Sequence, residues 1–214
     1  MTLRYVPGAV MSTQEIATKL KVSRTPVREA FLRLQREGLV ETIPQRETMV
    51  SLIDLKRVEK ERFIRESLEL AVIDQFLEHC NQSHFNMLRE KIAEQRQCWR
   101  EKRYADFVNC DNMWHKIIFE AAEQDLAWET LMNVNGHYNR IRVLTVQVEK
   151  TTEGVIQQHS KIVDLLEQGR ANDVRAEMTD HLTKLNVEKL NLVRIFPNYF
   201  KTSDEPNGIQ LGSL

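Results

Sequence analysis

Asp111 and His115 stand four residues apart in Asp111-Asn112-Met113-Trp114-His115, so on a helix their side chains share one face. One carboxylate and one imidazole can then address a single point. His159 lies in Gln158-His159-Ser160-Lys161-Ile162 and His181 in Asp180-His181-Leu182, each on a different predicted helix. Three imidazoles and a carboxylate suit a divalent transition metal, and such a set can leave positions open for water or a small acid. Periodicity alone does not bring these helices together. A single histidine is more often a surface or hydrogen-bonded core residue, and His79, His84 and His137 are read as such. The ligand types leave three chemistries open: a sensor site, a metal that activates water in an enzyme acting on a small organic acid, and a purely structural ion. No Glu or Lys nearby has an evident general-base role, with Glu153 and Glu177 the remaining candidates.

A second chemistry sits in Ser23-Arg24-Thr25-Pro26-Val27-Arg28-Glu29-Ala30, followed by Leu34 and Gly38-Leu39-Val40. Upstream, Ser12 is a predicted N-cap with Glu15 three positions on, and Ile16, Ala17 and Leu20 give a short helix one apolar face. Lys21-Val22-Ser23 is a tight turn. Thr25 is expected to cap the next helix with Pro26 at its first position, where a missing N–H costs nothing. Val27, Ala30, Phe31 and Leu34 form the buried stripe, which leaves Arg24, Thr25 and Arg28 at the exposed front end. A second helix with a basic N-terminal end is the one that enters a major groove, where Arg pairs with guanine or phosphate. Gly38 is expected to end that helix in a left-handed conformation. Two short strands over 39–43 and 48–52, joined by Pro44-Gln45-Arg46-Glu47, make a wing hairpin with Arg46 at its tip, in reach of the minor groove or the DNA backbone.

The elements that carry these groups follow from the rest of the chain. Its 214 residues hold one large domain or two small ones. A net charge of −1 argues against a uniform nucleic-acid binder, yet residues 1–50 carry eight Lys or Arg against five Glu, a net +3 that leaves −4 elsewhere. A small basic domain joined to a mildly acidic one suits a DNA reader attached to a sensor or oligomerisation module. From Asp54 onward the pattern is helical and almost free of breakers. Helices are expected over 54–77, 84–103, 104–122, 125–148, 152–168 and 170–195, with Gly136 interrupting the fourth. The expected fold class is mainly α. A winged helix-turn-helix over 1–53 precedes an antiparallel all-α bundle of about six helices over 54–196, then a flexible tail over 197–214. Phe76, Trp99, Trp114, Phe119 and Trp128 are read as core. No stretch approaches the roughly 18 apolar residues of a membrane span. The N-terminus lacks the apolar run of a secretion signal, and three cysteines without a close-spaced pair fit a reducing, cytoplasmic setting.

The run Glu15-Ile16-Ala17, Val22-Ser23-Arg24-Thr25-Pro26-Val27-Arg28-Glu29-Ala30, Arg33-Leu34 and Glu37-Gly38-Leu39-Val40 closely resembles the winged helix-turn-helix of the GntR family. In that family the residues matching Arg24, Thr25 and Arg28 face DNA, with Ser23 near the backbone. Two positions depart from the pattern: the wing-tip Arg-Gly-Thr is here Arg46-Glu47-Thr48, and an Arg of the preceding helix is Gln14. The stretch before Ser12 is shorter than the family's, so the family's first helix is expected to be missing. The remainder resembles the FadR-type ligand-binding (FCD) domain, whose metal-containing branch carries Asp-x-x-x-His, His-x-x-Ile and a late His-Leu. Here these are Asp111 and His115, His159 with Ile162, and His181 with Leu182, while Arg65-Glu66-Ser67-Leu68-Glu69 resembles the domain's opening. The resemblance implies a transcription regulator, by default a repressor, and not an enzyme. It further implies zinc or nickel at Asp111, His115, His159 and His181, and a small organic acid as effector. Arg65 is then the first-helix residue to face the effector carboxylate, with Asn135, Arg140 and Arg142 as further pocket candidates. The implied assembly is a homodimer that presents two winged domains to double-stranded operator DNA.

Overall fold

The computed structural model describes residues 3, 5–42, 47–148, 152–183 and 185–202. The chain opens with a short strand, β1 (Val10–Met11), and the helices α1 (Thr13–Leu20) and α2 (Arg24–Arg36), followed by β2 (Val40–Thr42) and β3 (Thr48–Val50). Ser12 Oγ accepts from the Glu15 N–H at 3.2 Å, as a cap should. The second helix starts two residues earlier than expected. Ser23 is its N-cap, without a side-chain cap bond, and Thr25 lies inside the first turn. Pro26 is tolerated there because the first helical N–H groups lack intrahelical partners anyway. Gly38 takes φ +73° just past the helix end, the left-handed conformation expected of it.

The sheet has three strands where two were expected, in the order β1-β3-β2 and antiparallel throughout. Val10 pairs with Met49, and Val40 with Val50. The residues before Ser12 thus supply an edge strand. Met11, Ala17, Val27, Phe31, Val40 and Val50 form the core of this domain. That core is open on one side, at an apolar cavity of about 530 Å³ lined by Met11, Ile16, Leu20, Val27, Phe31 and Leu34 among others.

The bundle comprises α3 (Leu55–Ala71), α4 (Ile73–His79), α5 (Gln82–Arg100), α6 (Tyr104–Ala121), α7 (Asp125–Val134), α8 (Gly136–Val148), α9 (Thr152–Glu167), α10 (Ala171–Thr183) and α11 (Leu185–Ile195). More helices appear than the six expected because single residues divide long apolar stretches. Val72 separates α3 from α4, and Asn135 separates α7 from α8, so the chain breaks where a kink at Gly136 was expected. Asp54 caps α3 by accepting from the N–H groups of Lys56 and Arg57. His84 closes a capping box at the start of α5 with Asn81. Helix α6 is buried over most of its circumference, with Phe107, Val108, Trp114, Ile117, Ile118 and Phe119 in the main core, so its polar residues are buried too. A second cluster joins Ile53, Val58, Tyr138, Ile141, Leu144, Leu192 and Phe200.

Residues 197–202, expected to belong to a flexible tail, are anchored at Phe200 and by backbone bonds to Ile53, with most of their side chains exposed. After a 3-10 turn at Pro197–Tyr199, the Ile53 N–H donates to Tyr199 O and the Lys201 N–H to Ile53 O, at 2.8 and 2.9 Å. Phe200 is 4% exposed. An aromatic side chain with an apolar partner face supplies the burial that the tail's polar composition concealed. Residues 203–214 lie outside the described residues. No helix among the described residues is long and apolar enough to cross a membrane.

Candidate functional site

Ser23, Arg24, Thr25 and Arg28 are all exposed at the N-terminal end of α2, while Val27 and Phe31 on the opposite face are buried. The helix is therefore anchored on one side and offers two guanidinium groups and two hydroxyls on the other. Its first-turn N–H groups can also meet a phosphate. Arg46 lies outside the described residues.

In the bundle, Asp111 and His115 of α6, His159 of α9 and His181 of α10 converge, with one ligand atom from each lying within 4.8 Å of all the others. His159 Nε2 is 3.3 Å from His181 Nε2 and 3.7 Å from Asp111 Oδ1, and His115 Nε2 is 3.5 Å from Asp111 Oδ2. Two of the rings are oriented from behind. His115 Nδ1 is 2.5 Å from Glu69 Oε2, and His159 Nδ1 donates to Gln95 Oε1 at 2.9 Å. Trp114 stacks on His159 with ring centroids 4.2 Å apart. A proton held on each Nδ1 leaves each Nε2 lone pair facing the centre. His181 Nδ1 has no partner, so its Nε2–H can donate to the His159 Nε2 lone pair at 3.3 Å, and an ion between the two nitrogens would take that proton's place. Imidazole nitrogens about 2.1 Å from one zinc ion sit roughly 3.4 Å apart at near-tetrahedral angles, so the donor set fits such an ion.

The electrostatics favour the same protonation states. Burial is the main cause that pushes His159 down to about 3 and His115 and His181 below the ordinary histidine value, so all three are neutral. Burial alone would raise Asp111, but Arg142, His159, His115 and Arg65 outweigh it and hold the carboxyl well below its usual range. Arg142 Nη2 donates to Asp111 Oδ2, and its Nη1 to Asn112 Oδ1 and Asn139 Oδ1 at 2.6 and 2.8 Å. Arg65 Nε donates to Glu69 Oε1 at 2.6 Å, but its two terminal nitrogens make no hydrogen bond, one of them lying 3.8 Å from Asp111 Oδ2. Asn135 Nδ2 donates to Asn139 Oδ1 at 3.4 Å, while its buried Oδ1 has no partner.

Arg65 and Arg142 thus reach the cluster directly, and Asn135 is linked to it through Asn139 and Arg142. Arg140 is not. Its Nη1 donates to Ser51 O at 2.5 Å and its Nη2 meets His137, at the junction with the winged domain. Residues two positions apart on a helix point about 200° away from each other, so Arg140 and Arg142 face different sides of α8. The apolar cavity of the winged domain is likewise remote from the histidines, as its lining residues show. Sequence reasoning missed Gln95, Asn112, Tyr138 and Asn139 as parts of the site and read Trp114 as core alone. Gln95 carried a signal: it continues the stripe Phe85, Leu88, Ile92 that buries α5, where a polar side chain needs a partner.

Comparison with known proteins agrees with both halves. Residues 1–50 match the family described as bacterial regulatory proteins, gntR family, and residues 62–184 match the FCD domain. The chain is 31% identical over 180 residues to the HTH-type transcriptional repressor RspR of Escherichia coli (strain K12), covering 84% of this chain and 79% of that one. It is 31% identical over 182 residues to an HTH-type transcriptional regulator of Streptomyces ambofaciens, covering 85% and 76%. Among solved structures, E. coli McbR/YncC superposes with a TM-score of 0.74 at 18% identity, over 89% of this chain and 90% of that one, a likeness of fold. With an exposed basic helix end in a winged domain and a polar cluster inside a helical one, the chain belongs to the gntR family of bacterial regulatory proteins, in the branch carrying an FCD domain, and is a DNA-binding transcriptional regulator, not an enzyme.

Proposed function

We propose that this chain is a repressor whose operator affinity is set by a small carboxylate bound beside a divalent metal, zinc or nickel, held by Asp111, His115, His159 and His181. The observation that carries the reading is the convergence of these four donors with two rings already oriented by Glu69 and Gln95. A bound ion supplies a Lewis-acid position for a carboxylate oxygen. The unbonded terminal nitrogens of Arg65 suit the same carboxylate, Arg142 holds Asp111 in place, and Asn135 Oδ1 is an acceptor for an effector hydroxyl. Repression rather than activation is supported by the relative named as a repressor. In this reading Ser23, Arg24, Thr25, Arg28 and Arg46 contact the operator. A homodimer presents two such surfaces to a pseudo-palindromic site.

The test begins with metal content by elemental analysis of gently purified protein. It continues with titration of an operator, selected from randomised duplexes, with and without metal and a panel of small carboxylates. About one ion per chain and a carboxylate that weakens DNA binding only when metal is present is the expected result. DNA affinity indifferent to metal and acids, with metal loss unfolding the bundle, would leave a structural ion in place of the sensor.

A further inference from the structure

The winged domain meets the bundle in a polar socket built by α3 and α8. The turn Glu37–Leu39, which directly follows α2, sits in it. Arg57 Nη2 donates to Glu37 O at 2.9 Å while its Nε donates to Glu61 Oε1 at 2.8 Å. His137 Nε2 donates to Gly38 O at 3.1 Å, and its Nδ1 accepts from the Asp54 N–H at 3.0 Å. Gly136 allows the close approach, since a Cβ there would lie 2.8 Å from Leu39 Cδ2. The end of the DNA-reading helix is therefore held by groups of the bundle and not by the linker alone.

The same two helices also serve the Asp111 cluster. Helix α3 carries Arg57 and Glu61 for the socket, then Arg65 and Glu69 for the cluster, and α8 carries His137 and Arg140 for the one and Arg142 for the other. Tyr138 belongs to both. Its backbone N–H donates to Glu61 Oε2 at 2.8 Å, while the guanidinium groups of Arg65 and Arg142 both lie over its ring, 5.6 and 5.7 Å from the centroid.

We propose that Tyr138 and Glu61 are positioning residues that convey the state of the Asp111 cluster to the turn that holds the DNA-reading helix. The inference rests on the reading of that cluster as a metal-dependent sensor site. Both cations over the Tyr138 ring face Asp111, so a change of charge there alters the pull on them and on the ring they contact. Glu61 is 3% exposed and has one oxygen on the Tyr138 N–H and the other on Arg57. A buried carboxylate does not release one partner gradually, because the abandoned oxygen finds no water. Coupling between the two sites then runs through a second arrangement of this link, in which Glu61 has given up one of its two partners.

Hydrogen–deuterium exchange of the full chain with and without Zn²⁺ tests this, with Zn²⁺ binding measured in parallel by chelator competition. In the wild type and in Tyr138→Phe, which keeps the ring and the N–H, Zn²⁺ is expected to change exchange at residues 37–42 by about fivefold or more. In Tyr138→Ala and Glu61→Ala the response is expected to fall below about twofold while Zn²⁺ still binds. An undiminished response in those variants overturns the proposal, as does a wild type that binds Zn²⁺ without any response at 37–42. Failure of the wild type to bind Zn²⁺ sinks the sensor reading itself and takes this inference with it. If the alanine variants misfold, Glu61→Gln keeps an acceptor for Tyr138 but removes the charge that holds Arg57. Its response is expected to fall by at least about half, and a full response overturns the proposal.

Discussion

Gly38→Ala is expected to destabilise the protein by about 3 kcal/mol, through two separable causes. Gly38 has φ +73°, a region that costs an L-residue about 1 kcal/mol. The new Cβ would also lie 2.0 Å from Arg57 Nη1 and 2.6 Å from its Cζ, so the guanidinium must leave. Arg57 is partly exposed and can swing outward, but it then gives up Glu37 O and Glu61 Oε1, and Glu61 is left buried with one partner. Discounting for the exposure of Arg57, those losses come to about 2 kcal/mol. Arg57→Ala alone should therefore cost about 2 kcal/mol, and the double variant about 3, well short of the 5 or so that independent effects would give. Urea titration followed by far-UV circular dichroism, which sees both domains, measures all three. A Gly38→Ala cost within about 0.5 kcal/mol of zero, or an additive double variant, would refute the clash argument.

Three further outcomes are expected. His159→Ala should strip the bundle of bound metal, and Gln95→Ala, which frees the His159 ring, should weaken Zn²⁺ or Ni²⁺ by about 10–100-fold; chelator competition reads both, and full affinity in either would remove that residue from the site. Arg28→Ala should weaken binding to a selected operator by about 1–3 kcal/mol, and unchanged affinity in a salt-controlled titration would exclude Arg28 from the interface. Acid should loosen the domain junction: burial first, then Arg140 and Arg57, push His137 down to about 3, against a partial offset from Asp54. Because the unfolded chain protonates this ring near pH 6.5 and the folded one does not, stability is full above that pH and declines below it. The loss between pH 7 and 5 is about 2 kcal/mol from His137 alone, and His137→Gln should flatten that slope.

Much of this was legible in the sequence because it rests on local periodicity. The i, i+4 spacing put Asp111 and His115 on one face, and caps at Ser12 and Asp54 marked real helix starts. What stayed hidden depends on long-range packing. Arg140 and Arg142 are the same residue type two positions apart, and only the placement of α8 between the winged domain and α6 decides which meets Asp111. Gly136 reads as a weak point of a helix, yet its role is the missing side chain that admits Leu39. The strand at Val10–Met11 is two residues long, too short for alternation to announce it, and exists because β3 offers a free edge. The order around Phe200 likewise needed a partner 147 residues away.

That last contact bears on how the protein is made. Ile53 sits in the linker between the domains, and its own N–H and C=O are bonded by Tyr199 and Lys201. During synthesis the winged domain is complete long before those residues exist. At about 5–20 residues per second, the ribosome needs roughly 7–30 s to travel from one to the other. Throughout that interval the linker at Ile53 is unsecured, and although the socket of α3 and α8 can form earlier, this part of the junction closes only as the last helices arrive. Messages truncated within the final turns would release chains with an intact reading head whose seating on the bundle is incomplete.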